Sequence, residues 1–521
     1  MMTCFFLTRR FFVRFITNLS LVVLLVLSQS MIPSAIADSR SDVQSIEPYL
    51  EHAKSRVTEF QLDNGLTFIV MENHEAPVVS FVTYADVGGV DEPDGKTGVA
   101  HFLEHLAFKG TRRIGTTNYP AEAQLLEQLD QLKQQINTAE QAKQADRVAK
   151  LEAEFTVTQA EALQYVQQNQ FGQIVQQSGG RNLNAQTSAD ATTYFYSFPS
   201  NKLELWMSLE SERFLEPVFR EFYKEQQVIL EERRTRTENS PIGQMVEKFL
   251  GTAFSTHPYG RPVIGYNRDI NSLSRQDVQQ FFETYYPPSN LTIAIVGDVD
   301  PQQVKQLAQV YFGRFPQRSK PVQIPPIEPP QTQTREVSLE LASQPWYFEG
   351  YHRPAMNHPD NAVYEVIAAL MSNGRTSRLY KSLVQEQQLA LAAQGFNGFP
   401  GDKYPNLILF YAMTAPGKTL EEVAAALRQE IERLKVEPVS EEALNRIKTQ
   451  QRAALIYSLD SNLGMAKSLV EYQVKTGSWQ NLFQQIAAIA AVTPADIQRI
   501  AQKTFTTENR TIGRLQTNES K

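Results

Sequence analysis

The chain has 521 residues, 50 of them basic and 57 acidic, which gives a formal net charge of -7. This length exceeds what a single hydrophobic core usually supports, so we expect two or more domains. Hydrophobic residues make up 42% and charged residues 21%, as in ordinary globular proteins, and the mild acidity disfavours a nucleic-acid partner.

Residues 1–37 have the pattern of an export signal. Arg9 and Arg10 precede an apolar run at 19–27, which is short for a membrane span. Small residues at 35–37 then predict cleavage, so that the mature chain begins near Asp38 and is periplasmic or secreted. The arginine pair also fits a twin-arginine export signal, and an uncleaved segment would instead be a membrane anchor.

Cys4 is the only cysteine and lies inside this predicted signal. The mature protein would therefore have no thiol and no disulfide, which excludes cysteine as a metal ligand. No later segment is long and apolar enough to span a bilayer, so we expect the mature protein to be soluble.

The next part of the chain alternates in the manner of β-strands. Residues 57–62 and 66–71 flank Asp-Asn-Gly at 63–65, a strong hairpin signal, and a further β-rich run covers 78–87. A helix carrying the sequence H-x-x-E-H follows, with Thr97 as its expected N-cap.

A long Gln- and Glu-rich helical segment occupies residues 121–177. Its leucine and isoleucine residues are spaced four, three and four apart, as in a coiled-coil seam: Leu125, Leu129, Leu132 and Ile136. We interpret this segment as a helical arm inserted between a helix and a strand, with no chemistry of its own.

Beyond the arm the chain divides into two halves of similar size. Residues 184–198 predict strands, and residues 202–237 predict one long helix. The Pro-rich stretch 317–334 is expected to be a linker. It separates an N-terminal domain, 50–316, from a C-terminal domain, 335–516.

The two halves share a short repeated pattern. Five pairs of identical residues lie at one constant offset: Asp277 and Asp496, Gln279 and Gln498, Asn290 and Asn509, Thr292 and Thr511, Ile293 and Ile512. Both segments predict a helix followed by a strand, which favours an internal duplication.

The H-x-x-E-H sequence predicts a metal site. His101 and His105 are four residues apart on a helix, so both imidazoles lie on one face and can bind a single ion. Glu104 projects toward the same side and can accept a proton from water without binding the metal. Zinc suits two imidazoles and a carboxylate, with a fourth position left for water or substrate.

A third ligand is expected from the acidic helix around residues 225–232. Glu225 and Glu232 are seven residues apart and share one helix face, so one can bind the metal while the other supports a ligand. The spacing alone does not decide between Glu231 and Glu232.

Taken together, these segments resemble the pitrilysin/insulinase family of inverted-motif zinc peptidases over nearly all of the chain after residue 37. The segments that carry the resemblance are HFLEHLAFKGT at 101–111, Gly-Gly at 179–180, NAQT at 184–187 with Asp190, Thr192 and Tyr194, the acidic helix at 225–232, HPYGRPVIG at 257–265, and IVGD at 295–298.

The resemblance implies a role for each matching residue. It makes His101, His105 and Glu232 the ligands of one zinc ion per chain, Glu104 the catalytic base, and Glu225 a supporting acid. The implied fold is α+β, with two homologous α/β-roll halves forming a clamshell around a chamber and the helical insertion in the N-terminal half.

The same resemblance implies how a peptide is held. The strand with Asn184, Ala185 and Thr187 is similar to an edge that binds substrate backbone by strand addition. Arg378 fits the substrate-binding arginine of the family, but the tyrosine expected downstream falls on Leu391.

The function predicted from these features is that of a zinc endopeptidase acting on peptides or unfolded segments. One alternative is a non-catalytic or partner-dependent subunit, as a homodimer or as a heterodimer with a related metal-free subunit. Another is a peptidase that makes one specific processing cut. The long helical arm also places the third ligand further from the histidines than the family pattern does.

Overall fold

The computed structural model describes residues 47–322 and 325–517. The predicted export signal, with Cys4, lies outside the described residues. Among the residues that are described, no helix combines the length and apolarity needed to cross a membrane.

The N-terminal half is built on a six-stranded mixed sheet. Its elements are α1 (Glu47–Ser55), β1 (Val57–Gln61), β2 (Thr67–Glu72), β3 (Val78–Ala85), α2 (Val99–Leu106), α3 (Tyr119–Gln141), α4 (Ala145–Leu163), α5 (Gln170–Gln177), β4 (Arg181–Thr187), β5 (Thr192–Pro199), α6 (Leu203–Leu215), α7 (Phe222–Arg233), α8 (Pro241–Ala253), α9 (Asn267–Ser272), α10 (Arg275–Tyr285), β6 (Leu291–Gly297) and α11 (Pro301–Tyr311). The strand order is β1-β2-β6-β3-β5-β4, and only the pair β2 and β6 is parallel.

The C-terminal half is built on a five-stranded sheet. Its elements are β7 (Arg335–Leu341), β8 (Trp346–Arg353), α12 (Asn361–Ser372), a π-helical turn (Tyr380–Glu386), β9 (Ala390–Phe399), β10 (Asn406–Thr414), α13 (Leu420–Val436), α14 (Glu441–Asp460), α15 (Asn462–Thr476), α16 (Asn481–Ala491), α17 (Pro494–Thr504) and β11 (Arg510–Thr517). The order is β7-β11-β8-β10-β9, with β7 and β11 parallel.

The predicted duplication is confirmed by the topology. Strands β2, β6, β3, β5 and β4 correspond in order and direction to β7, β11, β8, β10 and β9. The repeated aspartates, Asp277 and Asp496, each take part in the N-terminal cap of a helix. Ser274 caps α10 reciprocally with Asp277, and Thr493 caps α17 reciprocally with Asp496.

The repeated asparagines, Asn290 and Asn509, also form equivalent hydrogen bonds in the two halves. The side-chain amide of Asn290 donates to the carbonyl of the last residue of α10 at 2.8 Å. The amide of Asn509 donates to the carbonyl of the last residue of α17 at 2.9 Å. Each asparagine thus satisfies a terminal carbonyl that its helix leaves unpaired, just before the strand begins.

The two halves exchange helices. On one face, each sheet is covered by helices of its own half, including α2, α6, α10 and α11 in the first half and α12, α13 and α17 in the second. On the other face, the second sheet is covered by α8 from the first half, and the first sheet by α15 and α16 from the second. Phe249 of α8 lies over Gly350 and Gly513, where an added Cβ would come within 2.8 and 3.0 Å of its ring.

The insert is a helical hairpin, α3 and α4, followed by the short helix α5. Its seam differs slightly from the prediction, because Leu126, Leu129, Leu132 and Ile136 are buried whereas Leu125 is half-buried at the edge of the same cluster. Leu125 and Leu126 both pack in the hairpin. The heptad-like spacing in the sequence pointed to Leu125, which is the more exposed of the two.

The single long helix predicted for 202–237 is wrong. The chain breaks between α6 and α7, where Pro217 follows Glu216, and Glu216 has left the helical region with φ -134° and ψ 54°. A proline disfavours helical geometry in the residue before it, which ends α6 here. The break lets α7 leave in a new direction, and α7 carries the acidic residues of the candidate site.

The described parts of the predicted linker are extended and attached to the first half. The Glu328 carboxylate accepts backbone N–H groups of Ser255, Thr256 and His257 at 2.8–2.9 Å, and Lys320 pairs with Asp86 at 2.8 Å. The segment is therefore fastened to the first half before β7 begins.

Candidate metal centre

Helix α2, which carries the H-x-x-E-H sequence, is capped by a residue outside the motif. Glu92 accepts N–H groups of Gly98 and Ala100 at 2.9 Å. Burial raises the pKa of Glu92 to about 8, and the backbone hydrogen bonds oppose that rise. The prediction that Thr97 caps the helix is wrong, because its hydroxyl donates to Asp269 at 2.6 Å.

Three side chains from α2 and α7 converge at one point. His101, His105 and Glu232 each offer a ligand atom, and these atoms lie within 4.8 Å of one another. His101 Nε2 is 3.7 Å from Glu232 Oε1, and His105 Nε2 is 3.4 Å from Glu232 Oε2. The structure therefore brings Glu232 to the histidines, while Glu231 is exposed and pairs with Arg234.

The arrangement fits a zinc ion. Ligand atoms about 2.0–2.1 Å from a tetrahedral ion are separated by roughly 3.3–3.4 Å, close to the nitrogen–oxygen distances between the imidazoles and Glu232. Two imidazoles and one carboxylate are also the donors of many catalytic zinc sites. In the part of the chain that the structure describes, this is the one group of three or more His, Cys, Asp or Glu side chains that could hold a metal ion together.

Glu225 lies behind His105 on the same face of α7 as Glu232. Its carboxylate is 3.3 Å from His105 Nδ1 and 2.5 Å from Lys109 Nζ. Burial alone would raise the pKa of Glu225, but the hydrogen bonds to His105 and Lys109 outweigh burial and lower it. Glu225 is thus held as an anion that fixes the imidazole of His105.

Glu104 occupies the position of a base beside the cluster. Its carboxylate accepts a hydrogen bond from the Thr187 hydroxyl at 2.6 Å. Burial raises the pKa of Glu104, and the bond to Thr187 opposes that rise. Thr187, predicted only as a substrate contact, therefore also orients the candidate base.

The three side chains of this cluster differ widely in pKa. Burial, followed by the neighbouring His105 charge, lowers the pKa of His101 to about 4. Burial also acts to lower the pKa of His105, but hydrogen bonds to Glu225 and Glu232 outweigh it and raise the pKa to about 9. Burial would raise the pKa of Glu232, yet His105, His101 and Arg236 lower it to about 2.

The sequence patterns did not indicate two of the cations near this site. Arg236, in a π-helical turn after α7 (Arg234–Glu238), lies 2.6 Å from the Glu232 carboxylate, and Lys109 holds Glu225. Each stands four residues after a site residue, Glu232 and His105 respectively. That helical spacing is the signal by which they could have been found.

The predicted substrate residues lie at two separate places. Asn184, Ala185 and Thr187 are on β4, the edge strand of the first sheet next to α2, and the Asn184 side chain is exposed. Arg378 is half-buried, and burial, followed by the positive charge of Arg433 in α13, lowers its pKa, while the charges of Glu430 and Glu437 oppose that fall. The charges that act on Arg378 therefore include Arg433 and Glu430 of α13. Leu391 is 52% exposed on β9, the edge of the second sheet.

Comparison with known proteins places this geometry in context. The model of the insulinase family (peptidase family M16) matches residues 67–162 and 160–266, and that of the peptidase M16 inactive domain matches 272–451. The chain is 28% identical over 465 residues to a zinc protease, PqqE, of Helicobacter pylori, which covers 87% of this chain and 92% of the relative.

Two further similarities agree with that match. A probable mitochondrial-processing peptidase subunit beta of Schizosaccharomyces pombe is 25% identical, over 85% of this chain and 87% of its own length. The crystal structure of a protease from Helicobacter pylori superimposes with a TM-score of 0.74 at 27% identity, over 88% of this chain and 99% of that one.

Proposed function

Because the chain belongs to the insulinase family of peptidases, family M16, we propose that it is a zinc-dependent endopeptidase that hydrolyses peptides or unfolded polypeptide segments. The observation that carries this proposal is the convergence of His101, His105 and Glu232 beside the buried carboxylate of Glu104. If His101, His105 and Glu232 had only a structural role, a second carboxylate, Glu225, would not be needed to orient His105.

Each residue of the site has its own role in the proposed hydrolysis. Zinc, when bound by His101, His105 and Glu232, lowers the pKa of a water molecule toward neutrality and polarises a carbonyl group. Glu104, with its pKa raised by burial, is suited to take a proton from the attacking water and to return it to the leaving amine. Glu225 keeps the His105 imidazole turned toward the cluster.

The preference for extended substrates follows from the edge strand β4. Its free backbone groups can pair with a peptide in strand conformation, and Thr187 at its end is hydrogen-bonded to Glu104. In a folded protein most strands are already paired with their neighbours, so few are free to add to β4. Peptides and unfolded segments are therefore the substrates that we propose.

Degradation of a peptide library by the purified protein, followed by mass spectrometry, tests the proposal. We expect many cuts in extended peptides, loss of cleavage with a chelator and recovery with zinc. A single defined cut in one peptide would instead favour a processing peptidase. Protein that binds zinc and leaves every peptide intact would overturn the proposal.

A second candidate function is that of one subunit in a peptidase pair. Leu391 is exposed on β9 and has no hydroxyl with which to hold a substrate carbonyl, and one relative is by its name a subunit. Co-purification from the native host, with activity measured before and after removal of the co-purifying chain, tests this. Full activity of the lone chain, unchanged by Leu391→Tyr, argues against it.

We further propose that the chain works after export, either in the periplasm or outside the cell. The arginine-rich start, the apolar run at 19–27 and the small residues at 35–37 support this. N-terminal sequencing of exported protein is expected to begin near Asp38. Recovery of the intact N-terminus on membranes would show an anchor instead.

A further inference from the structure

A cleft of about 320 Å³ lies directly beside the candidate metal centre. Its lining includes Glu104 and His105 of α2 and Phe108 and Lys109 just after α2. Residues 166–169, which belong to the helical insert, also line it. The volume is at the low end of the range of about 300–1,000 Å³ for ligand pockets, so the cleft has room for a long side chain of a peptide.

The wall from the insert is firmly placed. Val166 forms a β-bridge with Thr116, and the N–H of Gln167 donates to the carbonyl of Gly115 at 3.0 Å. The Gln168 amide donates to Glu221 at 2.9 Å. The exit of the insert is therefore attached both to the loop that follows α2 and to the start of α7.

A buried arginine fixes the same region from within. Arg220 donates to the carbonyls of Lys109, Thr111 and Ile114 and pairs with Glu122 of the insert at 2.8 Å. The loop turns tightly around this guanidinium at Gly115, where φ is +89° and an added Cβ would lie 2.8 Å from Arg220 Nη1. The insert, the loop after α2 and α7 thus form one unit beside the site.

On the basis of the proposed function, we infer that this cleft is a substrate subsite and that the helical insert sets its selectivity. It receives the side chain of a residue next to the cleaved bond, and it favours a long side chain that ends in a hydrogen-bonding group without negative charge, such as glutamine. Glu104 borders both this cleft and the end of β4, so a peptide along β4 that reaches Glu104 passes the opening.

The lining explains this preference. Phe108 and Val166 are half-buried and offer apolar surface to the stem of a side chain, while Gln167, Gln168 and Asn169 are exposed and add amide groups to the lining. Amide groups both donate and accept hydrogen bonds, so they can pair with another amide.

Acidic side chains are disfavoured by the charges of the cleft. Lys109 is the one lysine or arginine that lines it among the described residues, and it is already paired with Glu225 at 2.5 Å and Glu221 at 3.4 Å. A carboxylate entering the cleft would meet these glutamates without gaining an unpaired cation. Short side chains would leave the apolar floor in contact with water.

The test compares peptides that differ at one residue, with Gln, Met, Glu or Ala at the position that a library identifies. Gln and Met have similar size, so their ratio isolates the end group. Two readouts are used: kcat/KM of the zinc-loaded protein, and Kd for the zinc-loaded Glu104→Gln variant, which does not require turnover. We expect the order Gln, then Met, then Ala and Glu.

The variants address the wall of the insert directly. Gln167→Ala combined with Gln168→Ala should reduce the preference for Gln over Met roughly three- to tenfold, since one or two hydrogen bonds are lost. Val166→Phe should fill the cleft and shift the preference toward Ala. Gln131→Ala combined with Gln135→Ala, on the exposed side of α3, is the matched control and should leave the profile unchanged.

Different results would overturn the proposed endopeptidase function and the inferred subsite. If the protein binds the peptides in this order but cleaves none of them, the inference of a subsite is supported. The proposal that the protein is an endopeptidase is then overturned. Cleavage or binding with no preference among the four peptides overturns the subsite. An unchanged profile in both the glutamine variant and Val166→Phe also overturns it, whether or not the protein is an active peptidase.

Discussion

At the scale of single residues, Glu104 has two influences acting in opposite directions on its proton affinity. Burial raises its pKa, whereas the hydroxyl of Thr187, 2.6 Å away, stabilises the anion. A carboxylate balanced in this way can both accept and release a proton during one reaction. Its position on α2 beside His101 and His105, the proposed metal ligands, suits the proposed role of a base that does not bind the metal.

Glu104→Gln should therefore keep about one zinc per chain and lose roughly 10²–10⁴-fold in kcat. The amide is nearly the same size as the carboxylate and retains an acceptor for Thr187 but cannot take a proton. Metal analysis and peptide cleavage of the same preparation check this. Loss of zinc, or normal cleavage, would show that the role is assigned wrongly.

Glu232 and Glu231 provide a matched pair of substitutions. Glu232→Gln should weaken zinc binding by roughly 10-fold or more, because it removes the anionic ligand that faces both histidines. Glu231→Gln should have little effect, because that side chain is 59% exposed and pairs with Arg234. Zinc titration with a competing chelator measures both, and the reverse result would place the other glutamate at the metal.

Helical periodicity predicts the residues that share a face of one helix. It placed His101 with His105 and Glu225 with Glu232, since each pair is separated by about one or two turns. It could not predict that Thr187 bonds to Glu104, because 83 residues separate them and only the folded sheet brings β4 to α2. Glu92 was missed as the cap of α2 because its carboxylate reaches the helix from a preceding loop.

At the scale of elements, the ion pair of Arg220 and Glu122 attaches the insert to the site. Both side chains are almost completely buried, with exposures of 1% and 0%. The prediction of an insert needed only composition and spacing. Its attachment could not be predicted, because the two charges lie 98 residues apart and neither forms a motif with its neighbours.

Glu122→Ala should lower the free energy of unfolding by about 3–5 kcal/mol, because it leaves a buried guanidinium without its counter-ion. Urea unfolding of the variant and the parent protein measures the difference. Glu127→Ala, at an exposed position on the same helix, is the control and should change stability little. A loss below 1 kcal/mol for Glu122→Ala would show that water or another side chain compensates.

The linker should make stability depend on pH through Glu328. Burial would raise its pKa, but three backbone hydrogen bonds outweigh burial and lower it to about 2. A lowered pKa contributes stability above the unfolded value of about 4.5, and that contribution is lost as the pH falls toward 2. Glu328→Gln should cost about 1.5–3 kcal/mol at pH 7.

The cost of Glu328→Gln should shrink steadily below about pH 4.5. Urea unfolding at several pH values measures this, with Glu340→Gln on an exposed position of β7 as the control. A cost that stays constant down to pH 3 would mean that the charge of Glu328 does not carry the effect.

At the scale of the whole molecule, neither half completes its own core. The first sheet buries residues such as Val82 and Val296 against Leu469 and Val470 of α15. The second sheet buries Phe348 against α8. The division of the sequence at a proline-rich segment was predicted, but this exchange was not. Amphipathic helices show that they need a partner and do not show which sheet supplies it.

Residues 38–316 and 335–516, produced separately, should each expose apolar surface and aggregate or bind a hydrophobic dye. Produced together, they should associate into a stable complex, since each supplies the helices that the other lacks. Size-exclusion chromatography and dye binding test this. Two halves that are soluble, folded monomers by themselves would contradict the interpretation.

The reciprocal placement of α8 and α15 also bears on the origin of the chain. The two helices occur at corresponding positions of the repeat, and each lies on the sheet of the other half. An ancestral protein with a single repeat could have covered that face by exchanging the helix with an identical copy, as a two-fold symmetric dimer. Gene fusion would then have freed the copies to diverge, so that only the first half carries the H-x-x-E-H sequence.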